Sequence, residues 1–293
     1  MKNNLVLRHQ ALCVAMLGSG LSGVWAASIT NNDSGQTLTN NAARFGGVAP
    51  GPADIAGFDS NISAGTPGSA TNALGGSTSW AGIQILNPAV PVQISADSTL
   101  ANGLPGIDMS LATTNLTLSC PVVLGTNQSW LVTNGLTLFV NGVVSGARNL
   151  TIYGGNGTNG TIRVNAANTY AGGTLLKGGM VVVSNNATFG ATAGGLINID
   201  GTIRFGTGGG FTIANPLTFS NTTVLDGNIS NAPNVNNTLS LPMSGNGTII
   251  ISNLLGVVTN DSSPVETFTF GASVAGWHAD VDRTAKLYRQ YHH

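Results

Sequence analysis

Asn168-Thr169-Tyr170-Ala171-Gly172-Gly173-Thr174-Leu175-Leu176-Lys177-Gly178-Gly179-Met180-Val181-Val182-Val183-Ser184-Asn185 decides how the rest of the chain is read. It runs as short strand, Gly-Gly turn, short strand, Gly-Gly turn, short strand. Glycine pairs admit positive φ and tight corners, because no Cβ clashes there. Met180 to Val183 is apolar and mostly β-branched, which suits a buried strand. On that reading Val182 lies inside the core. Each segment is too short to bury a core alone, so the stretch reads as one rung of a stack whose neighbours cover its apolar face.

Composition extends this reading to the whole chain. Charged residues make up 7% of the 293, against roughly 25% in an ordinary globular protein. Glycine contributes 41 residues, and Glu266 is the only glutamate. Helices need Glu, Lys and Arg on their exposed faces, so helices fit poorly. Hydrophobic residues nevertheless reach 42%. They fall in short β-branched clusters, which favours packed strands over disorder. The net charge of −1, with no basic stripe, argues against nucleic acid as a partner. It also gives no attraction to an anionic membrane surface.

Residues 1–27 read as a signal peptide. Lys2 and Arg8 make a positive start, Ala11 to Val24 is mostly apolar, and Val24-Trp25-Ala26 or Trp25-Ala26-Ala27 offers small residues for cleavage. The protein is therefore expected to be exported, either secreted or on the outer cell surface. Cys120 is then the one cysteine of the mature chain, which excludes an internal disulfide. No His or Lys lies near it in sequence, so it reads as a small buried apolar residue, not a reactive thiol.

Residues 28–79 are rich in Asn, Gly, Ser, Ala and Pro and read as a loosely structured N-terminal cap region. Short capping strands are placed near Ala43-Arg44-Phe45 and Ile55 to Phe58. From Trp80 onward, runs of three to five apolar or alternating residues recur between Gly, Asn and Pro. Examples are Leu116 to Leu118, Leu136 to Val140, Leu150 to Tyr153, Thr161 to Val164, Leu196 to Ile199 and Thr202 to Phe205. Strands this short and this numerous suit a parallel β-helix better than a sandwich. Rungs of roughly 20–25 residues would number about eight between 80 and 260. The expected fold is an all-β, right-handed, single-stranded parallel β-helix over 80–276. A weaker long repeat overlies it. Leu116 to Pro121 resembles Phe211 to Pro216, and Val143 to Gly146 resembles Pro242 to Gly245. The matched prolines are 216 − 121 = 95 apart and the matched serines 244 − 145 = 99 apart.

Residues 277–293 differ from everything before them. They hold three of the ten Lys and Arg residues and three of the four histidines, with no glycine. A short helical cap, a frayed tail and a broken reading frame are all open readings.

The stretch 168–190 resembles the autotransporter-associated β-strand repeat. Asn168, Thr169, Tyr170, Gly172, Gly173, Thr174, Gly178 and Gly179 follow that family's pattern. Ala171 replaces its usual hydroxyl residue, Met180 stands where Thr is common, and Phe189-Gly190 replaces Leu-Gly. The lead-in from Gly142 to Gly146 and Asn149 to Thr151 is also similar, although Arg148 and the Gly155 to Gly160 insertion depart from it. The resemblance implies a bacterial, exported, passenger-type β-helix that serves as a structural stalk or adhesin segment. Extracellular glycans or cell-surface components are then the expected partners. Family members often continue into an outer-membrane barrel. The residues up to His293 lack the alternating strands of one, so any membrane link would run through export or a missing barrel.

Chemistry is sparse. The chain reads as non-catalytic, without cofactor or metal, and no catalytic, cofactor-binding or metal-binding residue is assigned. Two alternatives stand beside this. A polysaccharide lyase or glycosidase on the same fold would bring at least three of Asp97, Asp108, Arg163, Lys177, Asp200 and Arg204 into one groove. A truncated fragment of a larger autotransporter-like protein would leave 277–293 unpacked. Asp226 and Glu266 are further acids without a recognisable partner in sequence. His278, His292 and His293 complete no zinc pattern. Trp80 and Trp130 read as core residues, with sugar stacking as the sharper alternative.

Overall fold

The computed structural model describes residues 48–62, 72–132, 135–154, 160–207 and 210–226 continuously. It also describes the strands Ala27–Asn31, Asn237–Leu241, Met243–Gly245, Thr248–Ser252, Gly256–Asn260, Phe268–Phe270, Trp277–Asp280 and Lys286–Arg289. These residues form strands and no helix, stacked in parallel as a β-solenoid of about seven turns. The expected signal peptide (1–27) falls outside them except for Ala27, and so does the expected strand at 43–45.

Each turn visits three faces. The first face carries Gln128–Val132, Leu150–Tyr153, Thr174–Lys177, Leu196–Ile199 and Leu217–Ser220, each parallel to the next. The second carries Val92–Ile94, Leu116–Leu118, Thr137–Val140, Thr161–Val164, Met180–Val183, Thr202–Phe205 and Thr222–Asp226. The third begins with the N-terminal halves of Thr78–Ile85 and Leu100–Met109. These pair with each other, and Leu100–Asn102 pairs onward with Val122–Leu124 and then Val144–Ser145. The C-terminal halves of the same two strands lie on the first face, with Gly106 opposite Ser129. Later turns resume the third face at Thr212–Ile213, Asn237–Leu241 and Gly256–Asn260.

Rung length follows from the first-face register. Leu150 pairs with Thr174, Thr174 with Leu196 and Leu196 with Leu217, giving steps of 24, 22 and 21 residues (174 − 150, 196 − 174, 217 − 196). The second-face step from Thr161 to Met180 is only 19 residues (180 − 161). In that rung Gly178 and Gly179, at φ 69° and 72°, turn the corner between first and second faces in two residues. Most other residues would meet a Cβ clash there.

The core is a set of inward columns. On the second face Val92, Leu116, Leu138, Ile162, Val181, Ile203 and Leu225 stack in register, and all are buried. Beside them run Ile94, Leu118, Val140, Val164, Val183 and Phe205. Burying one such side chain contributes about 1.5–3 kcal/mol, so the columns dominate stability. Strand alternation puts the intervening residues outside. Val182 is one of these: it is buried, as expected, but on the outer side of the sheet and not among the interior columns. It lies in register between Arg163 and Arg204 on the outer side and keeps 8% exposure, while Val181 and Val183 keep none.

The stack also reaches further toward the N-terminus than the cap expected over 28–79. Ala27–Asn31 pairs in parallel with Asp54–Phe58, which pairs with Thr78–Ile85. In 277–293, where a helical cap was one reading, Trp277–Asp280 and Lys286–Arg289 form an antiparallel pair, joined to Gly256–Asn260 through Thr259 and Lys286. The long repeat has a partial counterpart. The strands after Pro121 and Pro216 pair with Val144–Ser145 and Met243–Gly245 respectively. The triplets before those prolines do not correspond. Leu116–Leu118 is on the second face and Thr212–Ile213 on the third.

Candidate functional site

The two ends of the 168–190 stretch, around 168–171 and 187–190, cross the third face without regular strands, and side chains there close the gap. Asn168 is buried. Its Oδ1 accepts from Val144 N (2.9 Å) in the previous turn, and its Nδ2 donates to Thr188 O (2.8 Å) in the next. The backbone ladder continues, with Thr169 N donating to Val144 O and Ala191 N to Tyr170 O. Tyr170 fills the interior at 1% exposure and its hydroxyl meets Thr174 Oγ1 at 2.6 Å. Burial pushes the Tyr170 phenol well above its ordinary range, outweighing the Thr174 hydrogen bond. Gly172 is required by close approach: a Cβ there would lie 2.2 Å from the Arg148 carbonyl carbon and oxygen. Gly173 N donates to Asn149 Oδ1 (2.9 Å), and Asn149 N donates to Asn127 Oδ1 (3.0 Å), so one corner carries an asparagine ladder.

The six charged residues of the enzyme alternative do not converge. Asp97 follows the second-face strand Val92–Ile94 and accepts from Leu74 N (2.9 Å) and Gly75 N (2.6 Å). Its slight burial raises the carboxyl pKa. The hydrogen bonds from Gly75 and Leu74 together outweigh this and hold it below the ordinary carboxylate value. Asp108 and Lys177 are outward on the first face, three rungs apart. Arg163 and Arg204 are outward on the second. Asp200 lies at the corner between those faces, accepting from Asn221 Nδ2 (2.9 Å) and Thr222 N (3.1 Å). Asp226 sits one rung from Arg204, whose Nε and Nη2 reach Asp226 Oδ2 at 2.8 and 2.7 Å. That ion pair lies on an outer sheet surface, in no groove with Asp97, Asp108 or Asp200.

The remaining candidates resolve individually. Trp80 and Trp130 are each 1% exposed, so neither offers a stacking platform. Trp130 Nε1 donates to Gln128 Oε1 (3.0 Å), and Gln128 Oε1 also accepts from Asn102 Nδ2 (2.6 Å), a polar step inside the core. Cys120 is fully buried, and burial pushes its thiol pKa up to about 12. It therefore carries little thiolate at neutral pH. Among the described residues no group of three His, Cys, Asp or Glu could hold a metal ion. Glu266, His292 and His293 lie outside them.

Sequence reasoning missed the outer side of the first face. Two outward columns run along it. One holds Gln84, Asp108, Leu131, Tyr153, Lys177 and Ile199; the other holds Ser129, Thr151, Leu175 and Ile197. Ile197 is 44% exposed and Leu131, Tyr153, Leu175 and Ile199 are half-buried, so this face carries apolar side chains outside as well as inside. The signal was present in Leu150-Thr151-Ile152-Tyr153 and Leu196-Ile197-Asn198-Ile199, which put apolar residues on both alternations. No family model, curated protein or solved structure matches the chain.

Proposed function

We propose that this chain is a non-catalytic, exported solenoid that serves as a surface stalk or adhesin segment. The observation that carries this reading is the turn-to-turn bracing of a nearly uncharged stack. Side-chain amides of Asn168, Asn149 and Asn127 bind the backbone of adjacent turns, as the carboxylates of Asp97 and Asp200 do. Such a rod gains length by adding turns and needs neither a disulfide nor a closed globular core. Its corners and outer strands present Ser, Thr and Asn, which suit hydrogen bonding to glycans or cell-surface components. The likeness of 168–190 to the autotransporter-associated repeat and the signal-like residues 1–27 support export to the outer surface of a bacterium or beyond it. The six charged residues spread over different faces and corners favour this reading over the lyase or glycosidase.

Expression of the full chain in a Gram-negative host tests the proposal. The expected result is a product that starts at Ala27 or Ser28 by mass spectrometry and is found outside the inner membrane. A product retained in the cytoplasm with residues 1–26 attached would overturn export. Release of unsaturated or reducing sugars from a polysaccharide panel would overturn the non-catalytic part.

A further inference from the structure

We infer that the outer side of the first face joins two copies of this chain, face to face, with their solenoid axes antiparallel. The inference rests on the fold alone and not on export. The two outward columns cross six rungs between Gln84 and Ile199 and contain two charges, Asp108 and Lys177, of opposite sign. Between them in the same column lie Leu131 and Tyr153. A half-turn about an axis along the strands, midway between the rungs of Leu131 and Tyr153, maps this column onto itself in reverse. Asp108 of each copy then faces Lys177 of the other, and Leu131 of each faces Tyr153 of the other.

The second column is consistent with the same operation. Ser129 comes opposite Thr151, two small polar residues that permit close approach. Leu175 comes opposite Gly106, beside Leu104, which is 65% exposed, and Ile197 comes opposite Gly82. Each charge therefore meets its opposite and Leu131 meets Tyr153 on both sides of the axis at once, with Gln84 facing Ile199 at the ends. An isologous contact requires this self-complementarity. Sheets stack face to face in this way at about 10 Å. A column with one charge of each sign at symmetric positions also disfavours the parallel arrangement, in which Asp108 would face Asp108 and Lys177 would face Lys177.

The patch is a handful of side chains per copy, so the pairing is expected to be weak and dependent on concentration. Sedimentation equilibrium of the full chain across a wide concentration range reads it. Wild type should move from one-copy toward two-copy mass. D108K and K177D each place two like-charge pairs in the contact and should weaken association by more than about tenfold. A 1:1 mixture of the D108K and K177D proteins restores both opposite-charge pairs and should recover two-copy mass, a result that no general loss of folding can produce. S129R, at an exposed site beside the axis, gives an independent loss and leaves the Ser110 N to Asp108 hydrogen bond in place. Wild type that keeps one-copy mass at every concentration overturns the proposal, even if it binds a glycan through this face. Single variants that associate like wild type, or a mixture that fails to recover, also overturn it.

Discussion

The inner and outer columns of the second face use nearly the same residue type for opposite purposes. Val181 and Val183 are sealed in the core, stacked on Ile162 and Val164 below and on Ile203 and Phe205 above. Val182, between them in sequence, lies outside between two arginines. A strand of period two gives adjacent valines different neighbours at the same backbone. Identity therefore says little here about what a substitution does; the register says most of it.

The widest contrast is expected between V181D and V182D. V181D buries a carboxylate among aliphatic neighbours and should cost several kcal/mol, enough to lower the denaturation midpoint steeply or to prevent folding. V182D places its carboxylate between Arg163 and Arg204 on the outer side, at a position that is 8% exposed, and should cost clearly less than V181D, about 1 kcal/mol. Equal losses for the two would place Val182 in the core and undo the register.

The corner glycines give the next contrast. G172A should cost about 1–3 kcal/mol, because the new methyl group meets the Arg148 backbone of the adjacent turn. Gly135, unlike Gly172, has positive φ, at 72°, and nothing lies within 4 Å of its missing Cβ. G135A should cost only the left-handed backbone conformation, about 1 kcal/mol. Thermal melts of the two proteins separate close approach from backbone preference. N168A leaves Val144 N and Thr188 O without their side-chain partners and should lose about 1–3 kcal/mol. A neutral result would show that water replaces the amide.

The smallest effect belongs to Asp97. Its folded pKa lies below the ordinary value of 3.8, so its contribution is complete above that value and fades as pH falls through the folded pKa. The wild-type midpoint should therefore drop relative to D97N as the solution is taken below about pH 4. Parallel acid titrations of the two would contradict the hydrogen bonds to Leu74 and Gly75.

Much of this fold was legible in the residues. Leu150 to Tyr153, Thr161 to Val164 and Leu196 to Ile199 are strands as their clusters suggested, because Gly and Asn punctuate each rung. Burial of Cys120 was legible from its apolar setting. The orientation of Met180 to Val183 was not, since four apolar residues carry no alternation to read. The outer apolar side of the first face was hidden for the same reason, because apolar residues at both alternations look like simple core. The antiparallel pair in 277–293 was also hidden. Its charged, glycine-free composition fits a helix locally, but the described segments pair as strands with each other and with the last third-face strand. For the first two cases stacking partners decide, and they lie about 19–26 residues away, beyond any local pattern.

Distance through this molecule counts in rungs and not in residues. Gln93 and Arg204 are outward on the second face in one column, linked in register through Thr117, Phe139, Arg163 and Val182. Pulsed electron–electron resonance between nitroxides on Q93C and R204C, with the buried Cys120 left in place, reads that separation. Five rung steps of about 4.8 Å predict backbone positions about 24 Å apart, seen as one narrow distribution once the label arms are included. A broad distribution, or a narrow one centred far from that separation, would contradict the stacked register on which everything above depends.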